Sequence, residues 1–247
     1  MLRNYHKKYS DGKYAAAANK MRLWALFLTG RYSDCILLTE GDGSEDALYI
    51  SEMSHYQAGN VEKSQELFSR YLDLYPNGKY LKQVQIPLIR MSFDAAVKSG
   101  DKKKAVESAA RLYDISKSPS DAIRLAWAHE QDSSFDAASK IYYSIAASSP
   151  GTGEASEALF RKAMIDIRAE RYSAAEVALS EAVKCDEERN DPQMASRMAE
   201  MNYWRGVCAV KTGHEKKALE FLSSALKGAL PLDQNLEARI LIADIEY

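Results

Sequence analysis

Histidine is the residue of this chain best able to ligate a metal or to transfer a proton, and four histidines occur. His129-Glu130 and His214-Glu215 each begin like the helix of a zinc protease, but neither pair has a second histidine four residues on. The chain also has no GxSxG, GKS/T or GxGxxG motif. We therefore expect no catalytic residue, no metal and no cofactor.

The three cysteines, Cys35, Cys185 and Cys208, offer little more. An odd number without CxxC spacing is neither a disulfide framework nor a metal site. We expect them to be small apolar side chains that pack between helices. A contact between Cys185 and Cys208 on neighbouring helices is the alternative.

Two polar loops could also be read as ligand sites. The acidic loop Gly41–Asp46 lacks the alternating Asp/Asn ligands and the distal Glu of a calcium loop. Gly151–Gly153 is too short for a phosphate loop and has no lysine. We expect plain turns in both places, with Ser44 as the N-cap of the helix that follows the first.

The composition indicates an ordinary globular chain of helices. It has 247 residues and a formal net charge of −2, which gives no reason to expect nucleic acid as a partner. The longest apolar run, Leu23–Leu28, is far too short to span a bilayer. Polar, basic and aromatic residues follow Met1, so we expect no signal peptide in this sequence.

The stretch Ala47–Tyr80 has the pattern of a hairpin of two helices, and this hairpin is the element that repeats along the chain. Apolar residues at helical spacing predict one helix over 47–58 and a second over 61–74. Gly59-Asn60 separates the two helices, and Pro76 ends the second. Such a hairpin cannot bury its own apolar side, so it needs stacked neighbours.

The rest of the chain supplies those neighbours. We predict hairpins over residues 13–40, 47–76, 80–117, 121–150, 154–185 and 192–228, and a capping helix over 232–247. The turns inside the hairpins are predicted at Gly30, Gly59, Gly100, Ser133, Glu170 and Gly213, at irregular spacing. A small residue is expected where two helices approach closely, at Ser64, Ala138, Ala175 and Ala218.

Two further predictions concern the ends of these hairpins. Tyr9–Tyr14 repeats Tyr75–Tyr80 almost residue for residue, so residues 1–9 are expected to be the end of a truncated repeat helix. We therefore expect the chain to be a single repeat domain over residues 1–247 and a fragment of a longer protein. Asp191-Pro192 is expected to cap and open the helix after it.

The 34-residue hairpin resembles a tetratricopeptide repeat. The resemblance implies an all-α fold, a right-handed superhelix of stacked antiparallel helix hairpins. The run Phe68-x2-Tyr71-x3-Tyr75-Pro76-Asn77-Gly78-x-Tyr80 is similar to a narrower group, the bacterial cell-envelope tetratricopeptide proteins. That group includes the lipoprotein subunit of the β-barrel assembly machinery and the periplasmic protein of the Tol–Pal system.

The resemblance also implies a function and a place. It implies a non-enzymatic scaffold for a protein or peptide segment in the bacterial envelope, in the periplasm or attached to the outer membrane. A lipid anchor on a missing N-terminal part would attach it, whereas the fragment itself is not expected to span a membrane. The alternatives are a cytoplasmic tetratricopeptide adaptor or regulator and a helical domain that binds a small ligand.

In tetratricopeptide families the first helices of successive hairpins line the concave face. By repeat register, the residues expected there are Trp24, Phe27, Tyr49, Met53, Tyr56, Arg90, Asp94, Trp127, Phe160, Met164 and Tyr203. Aromatic residues and Met are enriched at interfaces, although the same types also form cores. Partner binding and packing against neighbouring helices are therefore both open for each residue. The apolar lining favours an extended or helical peptide over a charged C-terminus.

Overall fold

The structure is a computed structural model that describes residues 14–189 and 195–247. The predictions made for residues 1–9 and for Asp191-Pro192 lie outside the described residues. Within the described residues all regular structure is α-helical. No helix in these two ranges combines the length and the hydropathy that a bilayer crossing requires.

Thirteen helices are present in the described residues, most of them arranged as antiparallel hairpins. Their bounds are α1 Ala15–Leu28, α2 Tyr32–Thr39, α3 Glu45–Gln57, α4 Val61–Leu74, α5 Leu81–Ser99, α6 Lys102–Ser116, α7 Pro119–Gln131, α8 Phe135–Ser148, α9 Gly153–Arg168, α10 Tyr172–Arg189, α11 Ala195–Lys211, α12 Glu215–Ala225 and α13 Leu232–Glu246.

The turns inside the hairpins have one backbone conformation. Each of the six predicted turn residues has a left-handed φ: Gly30 73°, Gly59 78°, Gly100 74°, Ser133 62°, Glu170 57° and Gly213 73°. At each turn two backbone N–H groups donate back to carbonyls of the preceding helix, as Gly59 does to Tyr56 and Asn60 does to His55. The turn therefore serves as a common origin for numbering positions in each hairpin.

Local capping explains where several helices begin. Ser44 is the N-cap of α3, as predicted, and its Oγ accepts from the backbone N–H of Ala47 at 3.4 Å. Ser118 caps α7 in the same way, and Pro119 occupies the first turn. Pro87 lies inside α5, which continues through it to Ser99.

The described residues up to Asp94, which include α1 to α4 and most of α5, form one compact unit, here called unit 1. In unit 1, α3 packs between α2 and α4 and also contacts α1. Ile50, Phe68 and Tyr71 lie at the centre of its core, and Val84 of α5 joins them. Large and aromatic side chains therefore hold this unit together.

The described residues from Ala95 on, which include the last turn of α5 and α6 to α13, form a second compact unit, unit 2. Here α7, α9 and α11 each pack between the second helix of the preceding hairpin and the second helix of their own. The four close-approach residues predicted from the sequence are all fully buried, Ser64 in unit 1 and Ala138, Ala175 and Ala218 in unit 2. Small side chains therefore line the helix contacts of unit 2.

Candidate protein-binding face

The sequence-predicted site residues share a register that the structure defines. They lie ten, six or three residues before the left-handed turn residue of their hairpin, on the first helix. We call these positions, within each unit separately, the first-helix face of that unit. Eight of the eleven are half-buried, Asp94 is exposed, and Tyr49 and Tyr203 are buried; the half-buried ones are Trp24, Phe27, Met53, Tyr56, Arg90, Trp127, Phe160 and Met164.

In unit 1 aromatic residues of this register form a cluster of rings together with Tyr80. The ring of Trp24 lies 6.1 Å from those of Phe27 and Tyr49 and 6.0 Å from that of Tyr80. Tyr49 and Tyr80 stack at 4.1 Å with an interplanar angle of 13°. The rings bury one another, so they present a rigid aromatic surface of which Trp24 and Phe27 remain partly accessible.

An ionic cluster borders these rings. Asp46 lies 2.8 Å from Lys20 Nζ and 2.9 Å from Lys79 Nζ, and its carboxylate accepts a hydrogen bond from the Tyr80 hydroxyl. Burial raises the pKa of Asp46, but the bonds from Lys20, Tyr80 and Lys79 outweigh it and hold that pKa well below its ordinary value. Burial of Tyr80 and its hydrogen bond to Asp46 raise the pKa of Tyr80 to about 12. Asp46 therefore stays ionised and joins α1, α3 and the turn before α5.

A second carboxyl of α3 has the opposite character. Glu52 is fully buried, and neither carboxylate oxygen has a hydrogen-bond partner among residues 14–189 and 195–247. Burial alone raises the pKa of Glu52 to about 9, so the group is protonated at pH 7. Glu52 lies seven residues before its turn residue, the position that Ala126, Ala163 and Gly206 occupy in unit 2. It is thus the acidic residue at a position otherwise filled by apolar side chains or glycine.

In unit 2 the first-helix face has an apolar centre and a charged edge. Trp127 of α7 and Phe160 and Met164 of α9 are half-buried, and α7 contacts α9. The guanidinium of Arg197 lies 5.9 Å from the Phe160 ring centre and 3.2 Å from Glu157. The charged groups around Phe160 are thus already paired with one another.

Glu157 also pairs with a second arginine at this edge, Arg161. The Nε of Arg161 donates to Glu157 Oε1 at 2.5 Å, so one carboxylate serves Arg161 and Arg197. Arg197 also lies 3.8 Å from Asp186, a fully buried carboxylate of α10. These arginines are paired with carboxylates of the chain itself, and Trp127, Phe160 and Met164 beside them are half-buried.

Two residues predicted at the face lie in the core. Tyr203 is 2% exposed, and its hydroxyl donates to Glu237 of α13 at 2.7 Å. Burial and this hydrogen bond raise the Tyr203 pKa. Tyr49 is 8% exposed beneath Tyr80 and Trp24. Both follow the face register, but a neighbouring element covers each of them.

Sequence reasoning missed three groups that shape this surface. Tyr80 appeared only as part of a turn pattern, yet it stacks on Tyr49 and donates to Asp46. Arg197 and Glu157 were not singled out from the sequence. Their spacing carries no signal, because the Glu157–Arg197 pair joins different hairpins.

The cysteines and the surface depressions bear on the other kinds of site considered. Cys35 and Cys208 are buried, Cys185 is half-buried, and all three are free thiols. No group of three or more His, Cys, Asp or Glu residues in the described part of the chain is placed to hold a metal ion. The depression between α2 and α4 has a volume of about 570 Å³, and that between α1 and α3 about 540 Å³. Both open to the surface, unlike the closed pocket expected of a small-ligand domain.

Comparison with known proteins identifies solved structures that have a similar fold. No protein-family model matches the sequence, and no curated protein matches it. Solved structures do match. BtubC (BKLC) from P. vanneervenii has a TM-score of 0.57 at 13% identity, covering 83% of this chain and 90% of that one. The C-terminal part of a TPR repeat-containing protein from Cytophaga hutchinsonii has a TM-score of 0.58 at 10% identity, covering 90% and 99%.

A third similar structure is MamA from Desulfovibrio magneticus RS-1, from residue 41 to its end. It has a TM-score of 0.52 at 13% identity and covers 74% of this chain and 93% of that one. At such identities the likeness shows the fold alone. The chain has the all-α fold of tetratricopeptide repeat proteins, which confirms the predicted fold class of stacked helix hairpins.

Proposed function

We propose that this chain is a non-enzymatic scaffold that binds another protein through the first-helix face. The observation that carries the proposal is the surface of unit 2, where Trp127, Phe160 and Met164 are half-buried beside the paired Glu157 and Arg197. An apolar centre with aromatic and Met side chains and a charged edge is the usual anatomy of a protein interface.

The same surface defines the kind of partner. Arg161 and Arg197 are both held by Glu157, so recognition of a terminal carboxylate would have to break existing ion pairs. Apolar side chains on an extended or helical segment would bury Trp127 and Met164 without that cost. The partner is therefore a peptide segment with apolar anchors, and neither nucleic acid nor a cofactor is part of the proposal.

Location in a bacterial cell envelope is also part of the proposal, and the resemblance of residues 68–80 supports it. The hydroxyl of Tyr71 donates to Glu45 at 2.6 Å and that of Tyr75 to the Gly43 carbonyl at 2.8 Å. These bonds join α4 to the start of α3, so the pattern has an architectural role. Cell fractionation tests the location: recovery with the envelope supports it, and recovery only with cytoplasmic proteins favours the cytoplasmic adaptor.

Site-specific photo-crosslinking tests the binding face. A benzophenone amino acid at Met164 on the first-helix face is compared with one at Tyr143, which is 62% exposed on the second helix α8. In cells that express the protein, position 164 should crosslink one partner and position 143 should not. A partner captured at position 143 alone would contradict the proposed face.

A further inference from the structure

A groove runs along unit 1 between its first two second helices, α2 and α4. It is the depression of about 570 Å³ described above, and α3, which packs between α2 and α4, forms its floor with Leu48 and Ser51. Leu37 of α2 and Leu67 of α4 line its two sides, and Leu37 is 70% exposed. We call this depression the α2–α4 groove. Because three consecutive helices from the interior of the chain bound it, it is not an open end of the stack.

Opposite charges lie on the two sides of the α2–α4 groove. Lys63 and Arg70 belong to α4, whereas Glu40 and Asp42 belong to the loop after α2. Lys63 Nζ lies 2.8 Å from Glu66, but these side chains are 49% and 63% exposed, so their ion pair is weak. Within residues 14–189 and 195–247, the exposed Arg70 and Glu40 form no ion pair. Arg70 on one side and Glu40 on the other can therefore both pair with charges of a partner.

The course of the chain fixes the order of these charges along the groove. Lys63 is the third residue of α4, so it lies at the end of the groove next to the turn between α3 and α4. The Tyr75 hydroxyl donates to the Gly43 carbonyl at 2.8 Å, which brings the C-terminal end of α4 to the loop after α2. Arg70 lies seven residues beyond Lys63, roughly 10 Å along α4, and so in the half of the groove next to Glu40. The groove thus has a positive side along its length and a negative side at one end.

These features define the segment that fits the groove. An extended chain advances about 3.3 Å per residue, so roughly four residues span the distance from Lys63 to Arg70. Its side chains point alternately to opposite sides, so two acidic residues with one residue between them would both point towards α4, where Lys63 and Arg70 pair with them. The residue between them would lie on Leu37, and a basic residue after them would reach Glu40.

We propose that the α2–α4 groove binds a short extended segment of a partner protein with the order acidic, apolar, acidic, basic. This surface is separate from the first-helix face of unit 2, because Trp127, Phe160 and Met164 belong to first helices of unit 2. The chain then has two docking surfaces of different chemistry, one for apolar anchors and one for alternating charge.

Two short peptides with blocked ends test this inference on the full chain. One has the core Glu-Leu-Glu-Lys and the other has the charge-swapped core Lys-Leu-Lys-Glu. NMR titration measures the affinity of each peptide and identifies the backbone amides whose signals shift. The Glu-Leu-Glu-Lys peptide should bind at least about tenfold more tightly, with shifts in α2 and α4. Equal binding of both peptides, no binding of the first, or shifts confined to other helices would overturn the proposal.

A charge variant tests the pairing with α4. Arg70→Glu should weaken the Glu-Leu-Glu-Lys peptide at least about tenfold, because it places a like charge opposite an acidic residue of the peptide. The matched control is Lys82→Glu on α5, which makes the same change in charge at an exposed residue outside the groove and should leave the affinity unchanged. Equal weakening by both variants would show that only the net charge matters, which would overturn the assignment to the groove.

A pair of leucine variants tests the apolar contact. Leu37→Gln should weaken the same peptide at least about fivefold, because it removes apolar contact and keeps the charge. Its neighbour Leu38 lines the depression between α1 and α3 instead, so Leu38→Gln is the matched control on the same helix and should change nothing. A loss of affinity for Leu38→Gln with none for Leu37→Gln would contradict binding in the groove.

Two further measurements separate the alternatives. Trp127→Ala should leave peptide binding unchanged, so failure of the first-helix face and failure of the α2–α4 groove give different results. Sedimentation of the chain alone should give the same mass for the parent and for Arg70→Glu. A dimer that Arg70→Glu dissociates would show that a second copy occupies the groove, which would overturn the assignment to a partner segment.

Discussion

Unit 1 and unit 2 fill the same position of their hairpins with different side chains. Seven residues before the turn, unit 2 has Ala126, Ala163 and Gly206, and all three are buried. A Cβ on Gly206 would lie 2.6 Å from two side-chain carbons of Leu222, so α11 and α12 touch there. In α3 of unit 1 the same position has Glu52, fully buried and without a hydrogen-bond partner in the described residues.

Because of this difference, the same hairpin position makes stability depend on pH in unit 1 and on side-chain volume in unit 2. In unit 2 the close approach depends on side-chain volume alone, so pH does not act on that position. In unit 1 a carboxyl must stay protonated to remain buried, while the nearby Asp46 must stay ionised to hold Lys20 and Lys79. Unit 1 should therefore respond to pH in two opposite ways, and unit 2 should respond to volume.

The largest expected effect is at Glu52. Its folded-state pKa of about 9 exceeds the unperturbed 4.5, so its contribution is fully present below pH 4.5 and is lost as pH rises towards 9. At pH 7 the loss is on the order of 3 kcal/mol. Glu52→Met should restore that much stability to unit 1 and flatten its pH dependence, measured by hydrogen exchange of amides in α3 and α4.

The matched control for this variant is Glu62→Met on exposed Glu62 of α4, which should change stability by less than about 0.5 kcal/mol. A parent chain whose α3 amides exchange with the same protection at pH 5 and pH 8, after correction for intrinsic rates, would show that Glu52 is not buried as described.

The next effect tests the close packing of unit 2. Ala175 of α10 is fully buried at the close-approach position, so Ala175→Leu should overpack the hairpin and destabilise it by about 1–3 kcal/mol. Ala218→Leu should behave similarly. The control is Ala174→Leu, the same change at an exposed neighbour. An Ala175→Leu chain that unfolds at the same denaturant concentration as the parent would mean that the repeat register is wrong.

The smallest effect is at Asp46. Its pKa is depressed in the folded state, so its contribution is present above pH 3.8 and is lost as pH falls through the folded-state value. Lys20 and Lys79 are about half exposed, which reduces the contribution to about 1 kcal/mol. Asp46→Asn should destabilise unit 1 by that amount at pH 7 and by less in acid, as seen in denaturant titrations. A larger loss in acid than at pH 7 would contradict the assignment.

The sequence predicted the parts of this fold that depend on short-range spacing. All six turn residues adopt the left-handed backbone, including Ser133 and Glu170, because the helical periodicity on either side leaves one place for the break. The buried small residues followed from the same spacing. Helix α4 has the bounds Val61–Leu74 that its apolar stripe indicated.

The features that escaped prediction depend on contacts between elements distant in sequence. Tyr203 is buried because α13, more than thirty residues later, supplies Glu237. Glu52 follows a helical pattern that suits a solvated carboxylate as well as a buried one, so only packing distinguishes the two. Which residues of the first-helix face pack in the core and which stay accessible to a partner also depends on contacts between distant elements, so the sequence did not decide it. The single array over residues 1–247 stays a prediction.

One affinity comparison tests whether the first-helix face of unit 2 binds a protein partner. Titration of the crosslinked partner against Trp127→Ala and Tyr143→Ala compares a first-helix aromatic with an exposed second-helix one. Trp127→Ala should weaken binding by about 1–3 kcal/mol with the fold intact, and Tyr143→Ala should have no effect. Unchanged affinity for a folded Trp127→Ala chain, together with a loss of affinity for Tyr143→Ala, would contradict binding at the first-helix face.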